Sequence, residues 1–534
     1  MNEFEISTTG ASFEKPESFY KSMTRFSLST RKLYPSKINI SYKQDGAGIP
    51  LAWNEDNNSV YLDNSDSHTL VFGSTGSKKS RLIAIPTVKL LGYASESMII
   101  SDPKAEIYNR TASELKENGY DVCVLNFRSP MYGSSWNPLE IPYQFYLRGD
   151  IDKAYEFVND ISTNLMLTQI TEKDPFWDYS ASDLFFGLTL LLFKYSMQNN
   201  ISIESVNISS LLKLRRELFD GQDNIPLFHA TLWNIAKEDE IIHSSLIGTV
   251  NAPERTQSCI LSTFDTKMRC FVIQPSLLNM LSSNNLSLSS VGENKTAIYL
   301  IMPDEKTSYH KLVSLFIKQS YEYIIYRAQS MEGFMMPIRI NYLLDEFSSL
   351  PAIKDFPSMI TAARSRNIRF NLIVQSKHQL IEKYGDEAET IQSNCNNWIF
   401  ITSRELKLLE EISTLCGTRA TGNKPLLSIA SLQHFSKEKG EILVLSGRLK
   451  PFKSHLPDIK KYDNDDYDIL PLIKRSCDSN KAAGISFNAT CESNKSQNDS
   501  QCNNDDKNFI PEDLQEQLKA KFNKLFGSTD ETEE

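Results

Sequence analysis

Eight apolar runs punctuate this chain without polar interruption: "HTLVF", "SMIISDPK" and "DVCVLNF", then, after a long gap, "TAIYLIMPDE", "IRINYLLDEF", "FNLIVQS", "NWIFITS" and "EILVLSG". Continuous runs, as opposed to alternating ones, predict strands covered on both faces, as in a mostly parallel sheet. Helical stretches between them make the fold class α/β. The gap, from about Asp174 to Gly292, carries leucines at helical spacing in "ISSLLKLRREL" and further apolar periodicity in "IIHSSLIGTVN" and "RTQSCILSTFDTKMRCF". It predicts an all-α insertion over 174–292, flanked by two parts of one α/β domain at 46–173 and 293–475. Residues 1–45 read as a polar arm. Residues 476–534 are rich in Ser, Asn, Asp, Lys and Gln, too poor in apolar surface to offset ordering entropy, and are expected to be disordered. That tail ends in "IPEDLQEQLKAKFNKLFG", where Leu514, Leu518, Phe522 and Leu525 share one helical face suited to docking on the chain itself or on a partner.

The longest apolar segment, "LFFGLTLLLF" from Leu184 to Phe193, would rise only about 15 Å as a helix, half of a bilayer core. It predicts a buried helix. The first residues carry acids and hydroxyls in place of a basic segment followed by an apolar one, so no signal peptide is expected and the chain reads as cytoplasmic. The 534 residues allow two to four domains, and a net charge of −10 means that any DNA contact must come from a local basic surface or an assembly of such surfaces. Eight scattered cysteines, with no C-x-x-C pair, read as free thiols.

Candidate chemistry begins at "GSTGSKKS", which follows the first strand and precedes "RLIAIPTVKLL". A phosphate-binding loop reads G-x-x-x-x-G-K-[ST]: backbone amides hold phosphate oxygens, the lysine neutralises charge and the hydroxyl binds Mg²⁺. Gly73, Lys79 and Ser80 stand in the expected places, with Ser74, Thr75, Gly76 and Ser77 completing the loop, but Lys78 replaces the second glycine. If that position is left-handed, a side chain there costs about 1–2 kcal/mol. Lys78 would also add charge beside the phosphates. A second strand ends in Asp345 and Glu346, the pattern in which one acid holds Mg²⁺ and the next activates the attacking water. Gln375 ends another strand, placed to sense a γ-phosphate or position water, or simply to form a turn. Together these residues imply ATP and Mg²⁺, the metal held by Ser80 and Asp345.

Eight segments in order, "FGSTGSKKS", "SDPKAEIYNRTA", "WNPLEIP", "DPFWDYSASDLFFGLTLLLF", "LLDEFSSLP", "ITAARSRNIRFNLIVQS", "IQSNCNNWIFITS" and "LKPFKSHLPD", closely resemble TraG/TraD-type coupling proteins of type IV secretion and conjugation systems, from about residue 45 to 465. The resemblance implies a RecA-like P-loop ATPase domain interrupted by an all-α domain, assembled as a homo-hexamer with nucleotide between subunits. It implies an ATP-dependent translocase that brings DNA, relaxase and relaxosome proteins or protein substrates to the secretion channel. An arginine from a neighbouring subunit would complete the site; Arg364 is the candidate, with Arg366 in reserve, the alternative for Arg364 being interaction with its own helix dipole. Asp102 and Lys104 match a segment expected on the nucleotide side of the sheet. Lys213, Arg215 and Arg216 are candidate DNA phosphate contacts in the helical insertion, or a solvated helix face. Family members usually begin with a pair of transmembrane helices, absent here; a peripheral protein at the inner face of the membrane, docked on a separate anchor, is expected. Lys78 leaves a second reading, a non-hydrolysing ATP-binding adaptor that recruits substrate to the channel.

Overall fold

The computed structural model describes residues 11–28, 46–167, 175–219, 226–286, 288–303, 305, 309–419, 424–447, 449–462 and 469–475. The terminal amphipathic helix and most of the polar arm lie outside these residues. Each of the eight apolar runs forms a strand of one nine-stranded sheet: β4 (Thr69–Gly73), β5 (Ser97–Asp102), β6 (Asp121–Asn126), β7 (Thr296–Ile301), β8 (Ile340–Leu344), β9 (Ile368–Val374), β10 (Asn397–Thr402) and β11 (Glu441–Ser446), with β12 (Phe452–His455) added at one edge. Strands β1 (Thr24–Ser27), β2 (Pro50–Asn54) and β3 (Ser59–Leu62) form a separate antiparallel sheet. In the large sheet the order is β12-β11-β10-β4-β9-β8-β5-β7-β6. All pairs from β10 to β6 are parallel, and β11 and β12 close one edge as an antiparallel ribbon. Every residue of β4, β5, β7, β8 and β9 is buried, which is why these strands read as unbroken apolar runs.

Between β6 and β7 the chain is helical, from Glu140–Leu147 and Ile151–Met166 through Phe176–Gln198 to Glu254–Val272 and Pro275–Met280. Helix Phe176–Gln198 contains the apolar decapeptide and is buried on almost every side, as a helix hydrophobic all round must be. Arg215 is not a free basic group: it is buried and its Nη2 meets Asp265 Oδ2 at 2.6 Å across two helices. Its place as a DNA contact is therefore corrected to an ion pair between two helices, with the guanidinium buried and Asp265 half-exposed, while Arg216 remains on the surface. Among the described residues, no helix is long and apolar enough to cross a membrane.

At the amino ends of the central strands, Arg369 and His68 are buried with hydrogen-bond partners. Arg369, 2% exposed, donates from Nε to Asn341 Oδ1 (2.8 Å) and from Nη2 to Ala47 O (2.6 Å), and pairs with the buried Glu96 at 3.1 Å. His68 sits close by, accepting from Phe370 N at Nδ1 (2.9 Å) and donating from Nε2 to Ile360 O (2.8 Å). One ring nitrogen accepts and the other donates, so the ring is neutral. Burial, reinforced by the charges of Arg364 and Arg369, pushes its pKa down to about 4. The unfolded chain takes up this proton as pH falls through about 6.5, while the folded chain resists it until about 4, so His68 removes about 3 kcal/mol of stability across that window. Urea midpoints of the wild type should fall between these two pH values more steeply than those of His68→Gln; parallel slopes would contradict this account.

Candidate functional site

The carboxyl ends of β4, β9, β8 and β5 are consecutive in the sheet, so the residues that follow them lie side by side at spacings of about 4.8 Å per strand. Ligands of open α/β sheets gather at such ends. After β4 the loop turns tightly: Ser77 N donates to Ser74 O at 3.1 Å, and Ser74 N is held by Thr402 O of β10 at 3.0 Å. Gly73 cannot carry a side chain, since a Cβ there would lie 2.6 Å from Ser77 Oγ and 2.7 Å from Lys79 Cγ. Gly76 has open space around it and is required for its φ of +73°. The helix that follows opens with a π-turn, Ser80–Ala84, in which Ile85 N reaches back five residues to Ser80 O. Pro86, in the next turn, explains the widening: its ring would crowd the carbonyl of a regular α-turn and it has no N–H to donate.

The cradle meets the acids directly. Ser80 Oγ donates to Asp345 Oδ2 at 3.3 Å, and Lys79 Nζ donates to Gly73 O at 2.7 Å while lying 3.4 Å from Glu346 Oε1. Gln375 bridges the two halves: its Nε2 donates to Glu346 Oε2 at 2.5 Å and its Oε1 accepts from Thr75 Oγ1 at 2.9 Å. Glu346 is left-handed, with φ +54° and ψ +39°, strain of the kind that concentrates at sites needing a fixed side-chain direction. Asp345 is buried, and that burial, with the neighbouring Glu346 charge, raises its pKa to about 6 against the opposing pull of Lys79. Asp102, at the end of β5, is likewise pushed up to about 7 by burial; its Oδ2 accepts from Tyr108 N at 2.7 Å and so caps helix Glu106–Glu117. Lys104, two residues on, is exposed and lines the cleft.

Lys78 does take the left-handed conformation, with φ +64°. Its ammonium meets Glu438 Oε2 at 2.5 Å. The same distant loop places Lys437 Nζ 3.3 Å from Gly76 O, and Arg81 pairs with Asp458 at 2.7 Å. Lys78 still lines the cleft, and these contacts add an outer wall that pins the loop from the C-terminal part of the chain.

Arg364 and Arg366 do not join this cleft. They form the turn ahead of β9, at the amino ends of the strands, whereas Gln375 follows the carboxyl end of the same seven-residue strand, about 23 Å away. Arg364 Nη2 donates to Asn394 O at 2.5 Å. Sequence reasoning missed Glu106, Met302, His310 and Ser349, which also line the cleft. Only the positions of Met302, just past a strand end, and Ser349, just past the acidic pair, gave a signal.

The cleft has a volume of about 340 Å³. Its residues fit a nucleoside triphosphate with a hard divalent cation: a loop closed to side chains at Gly73, a buried Ser77 Oγ with no partner among the described residues, and an adjacent hydroxyl and carboxylate as oxygen ligands.

Residues 27–440 match the family described as type IV secretory system conjugative DNA transfer. The conjugal transfer protein TraG of Agrobacterium fabrum (strain C58 / ATCC 33970) is 22% identical over 359 residues, covering 66% of this chain and 51% of that protein. TraG of Rhizobium radiobacter is also 22% identical, with 66% and 52% covered. The chain thus spans about half the length of the curated relatives it matches. Among solved structures, the plasmid coupling protein TrwB in complex with the non-hydrolysable ATP analogue ADPNP superposes with a TM-score of 0.53 at 15% identity, over 88% of this chain and 98% of that one. The unbound form of TrwBdeltaN70, a bacterial conjugative coupling protein, gives 0.52 at 16%, over 81% and 91%. These likenesses establish the RecA-like α/β fold already traced in the strands. With the match running through both halves of the large sheet and the helices between them, the chain belongs to the type IV secretory system conjugative DNA transfer family.

Proposed function

We propose that this protein is an ATP-dependent coupling protein that drives DNA, with its relaxase or other protein cargo, into a type IV secretion channel. The observation that carries the reading is the 3.3 Å approach of Ser80 Oγ to Asp345 Oδ2, with Glu346 one residue further on. Backbone amides of Gly73–Ser80 and the ammonium of Lys79 would bind the phosphates, and Ser80 with Asp345 would hold Mg²⁺, which when bound neutralises charge on the transferring phosphoryl group. Glu346 takes the proton from the attacking water. Gln375 ties that carboxylate to Thr75 at the loop, so a change at the phosphate cradle is felt by the acid. Arg364, remote from its own cleft, is suited to act only on the cleft of an adjacent copy in a homo-hexamer. TrwB, of the same fold, binds an ATP analogue, which supports a nucleotide here. A position at the inner membrane face belongs to the same proposal.

Lys78 favours a second reading, an adaptor that binds ATP without hydrolysing it. Because Lys78 already adopts the left-handed conformation that glycine would supply, Lys78→Gly removes only about 1 kcal/mol of strain, about fivefold in an equilibrium constant. Phosphate release by the wild type should therefore stand well above background, rise with DNA and fall steeply with salt, and change no more than about fivefold in Lys78→Gly. Background turnover in the wild type, restored by glycine at 78, would establish the adaptor.

A further inference from the structure

Two of the cations that line the cleft, Lys78 and Arg81, are met by acids that come from one place in the fold. Strand β11 runs antiparallel to β10, so its first residue lies at the carboxyl ends of β10 and β4, where the phosphate loop turns. The register Glu441↔His455 brings the last residue of β12 to the same end. The segment leading into this ribbon, 436–440, and the segment leaving it, 456–458, are locked together: Leu456 N donates to Gly440 O at 2.9 Å. Gly440, at φ +65°, has no room for a side chain, since a Cβ would lie 2.3 Å from Leu456 O. The first segment is also closed on itself, with Ser436 N donating to Glu441 Oε2 at 2.7 Å and Glu441 N to Ser436 O at 3.1 Å.

This ribbon end presents Glu438 to Lys78 Nζ at 2.5 Å and Asp458 to Arg81, whose Nη2 donates to both carboxylate oxygens, at 2.7 and 3.0 Å. The side chains of Glu438 and Asp458 are 72% and 40% exposed, and ion pairs so wetted contribute little to stability. What they change is the charge offered to a ligand. A lysine ammonium sits on a flexible four-carbon stem with three rotatable donors, so it can turn from one anion to another without moving its backbone. Lys78 borders both the cleft and Glu438, and a phosphate oxygen in the cleft and the Glu438 carboxylate are rival acceptors for it.

We infer that Glu438 sets the affinity of the nucleotide site: it competes with the terminal phosphate for the Lys78 ammonium, with Asp458 in the same relation to Arg81. The lysine that stands where a phosphate loop carries glycine is then an exchangeable contact, on the ribbon or on the phosphate, and its added charge is not given to the ligand in full. The inference rests on the nucleotide site proposed above.

Calorimetric titration of the full chain with Mg²⁺ and ADPNP tests it. Glu438→Gln keeps the size of an exposed side chain and removes its charge, so ADPNP should bind about two- to fivefold more tightly, the range of one exposed ion pair, and Asp458→Asn should shift it in the same direction. The gain should shrink as salt screens the charges. ADP, which lacks the terminal phosphate, should gain less. In a Lys78→Gln background, Glu438→Gln should change ADPNP affinity by no more than about 1.5-fold, because the pair being broken is already gone. Unchanged or weaker ADPNP binding in Glu438→Gln overturns the inference. So does an equal gain in the Lys78→Gln background, which would make Glu438 a general repulsive charge, or an equal gain for ADP. A wild type that binds ADPNP but does not respond at Glu438 sinks this inference alone; a chain that binds no nucleotide in any of these forms sinks the nucleotide site and the inference with it.

Discussion

Replacing Glu346 by glutamine is expected to lower DNA-stimulated phosphate release by about 10²–10⁴-fold while ATP continues to bind, the range associated with loss of a general base. The substitution keeps the size of the side chain and a hydrogen-bonding group for Gln375, whose amide lies 2.5 Å from Glu346 Oε2. It removes the capacity to accept a proton. It also removes the charge that helps raise the pKa of Asp345, so the neighbouring carboxyl ionises more readily and metal binding should not suffer. Lys79 loses its 3.4 Å ion-pair partner but keeps the 2.7 Å bond to Gly73 O, which holds it at the cradle. Turnover and nucleotide affinity measured on the same preparation decide the matter. Turnover within tenfold of the wild type would remove Glu346 from the chemistry, and lost binding would make it a structural support of the loop.

Arg369→Ala is expected to destabilise the protein by about 3–5 kcal/mol, because it strands Glu96 in a buried site with one cation fewer. The guanidinium also satisfies Ala47 O, Asn341 Oδ1 and Ser65 O, the last at 3.0 Å, and so fastens the segment leading into β4 to the amino ends of β8 and β9. Removing both charges, as in Glu96→Leu with Arg369→Leu, should cost less than the single change, since no buried ion is then left without a partner. Denaturant midpoints at equal slope measure both. A single substitution costing under 1 kcal/mol would show that Arg339, 3.6 Å from Glu96, is enough to hold the carboxylate.

The central sheet was legible because its strands are buried on both faces: "INYLL" and "TLVFG" carry almost no polar residue to disguise them. The small sheet of β1, β2 and β3, and the edge strand β12, were not foreseen. Their runs are only four or five residues long, and β1 and β12 are only partly buried, with patterns that resemble ordinary loops. At the site, the ends of apolar strands pointed to Asp345, Glu346 and Gln375, and the glycine spacing pointed to the loop. The pairing of Lys78 with Glu438 could not be read, because Glu438 lies 360 residues away. His310 was invisible for a different reason: its ring nitrogens face backbone carbonyls, and no side-chain pattern records them. The pairing of Arg215 with Asp265 escaped notice because periodicity on one helix says nothing of what a second helix brings opposite.

The position of β4 in the strand order bears on how the chain is made. This strand and its loop are translated well before both of their neighbours, β9 and β10, which lie beyond Arg366. At ribosomal rates of about 5–20 residues per second, β4 therefore waits on the order of tens of seconds with both hydrogen-bonding edges uncovered. Nascent chains should accordingly depend on a holding chaperone until β9 and β10 have emerged.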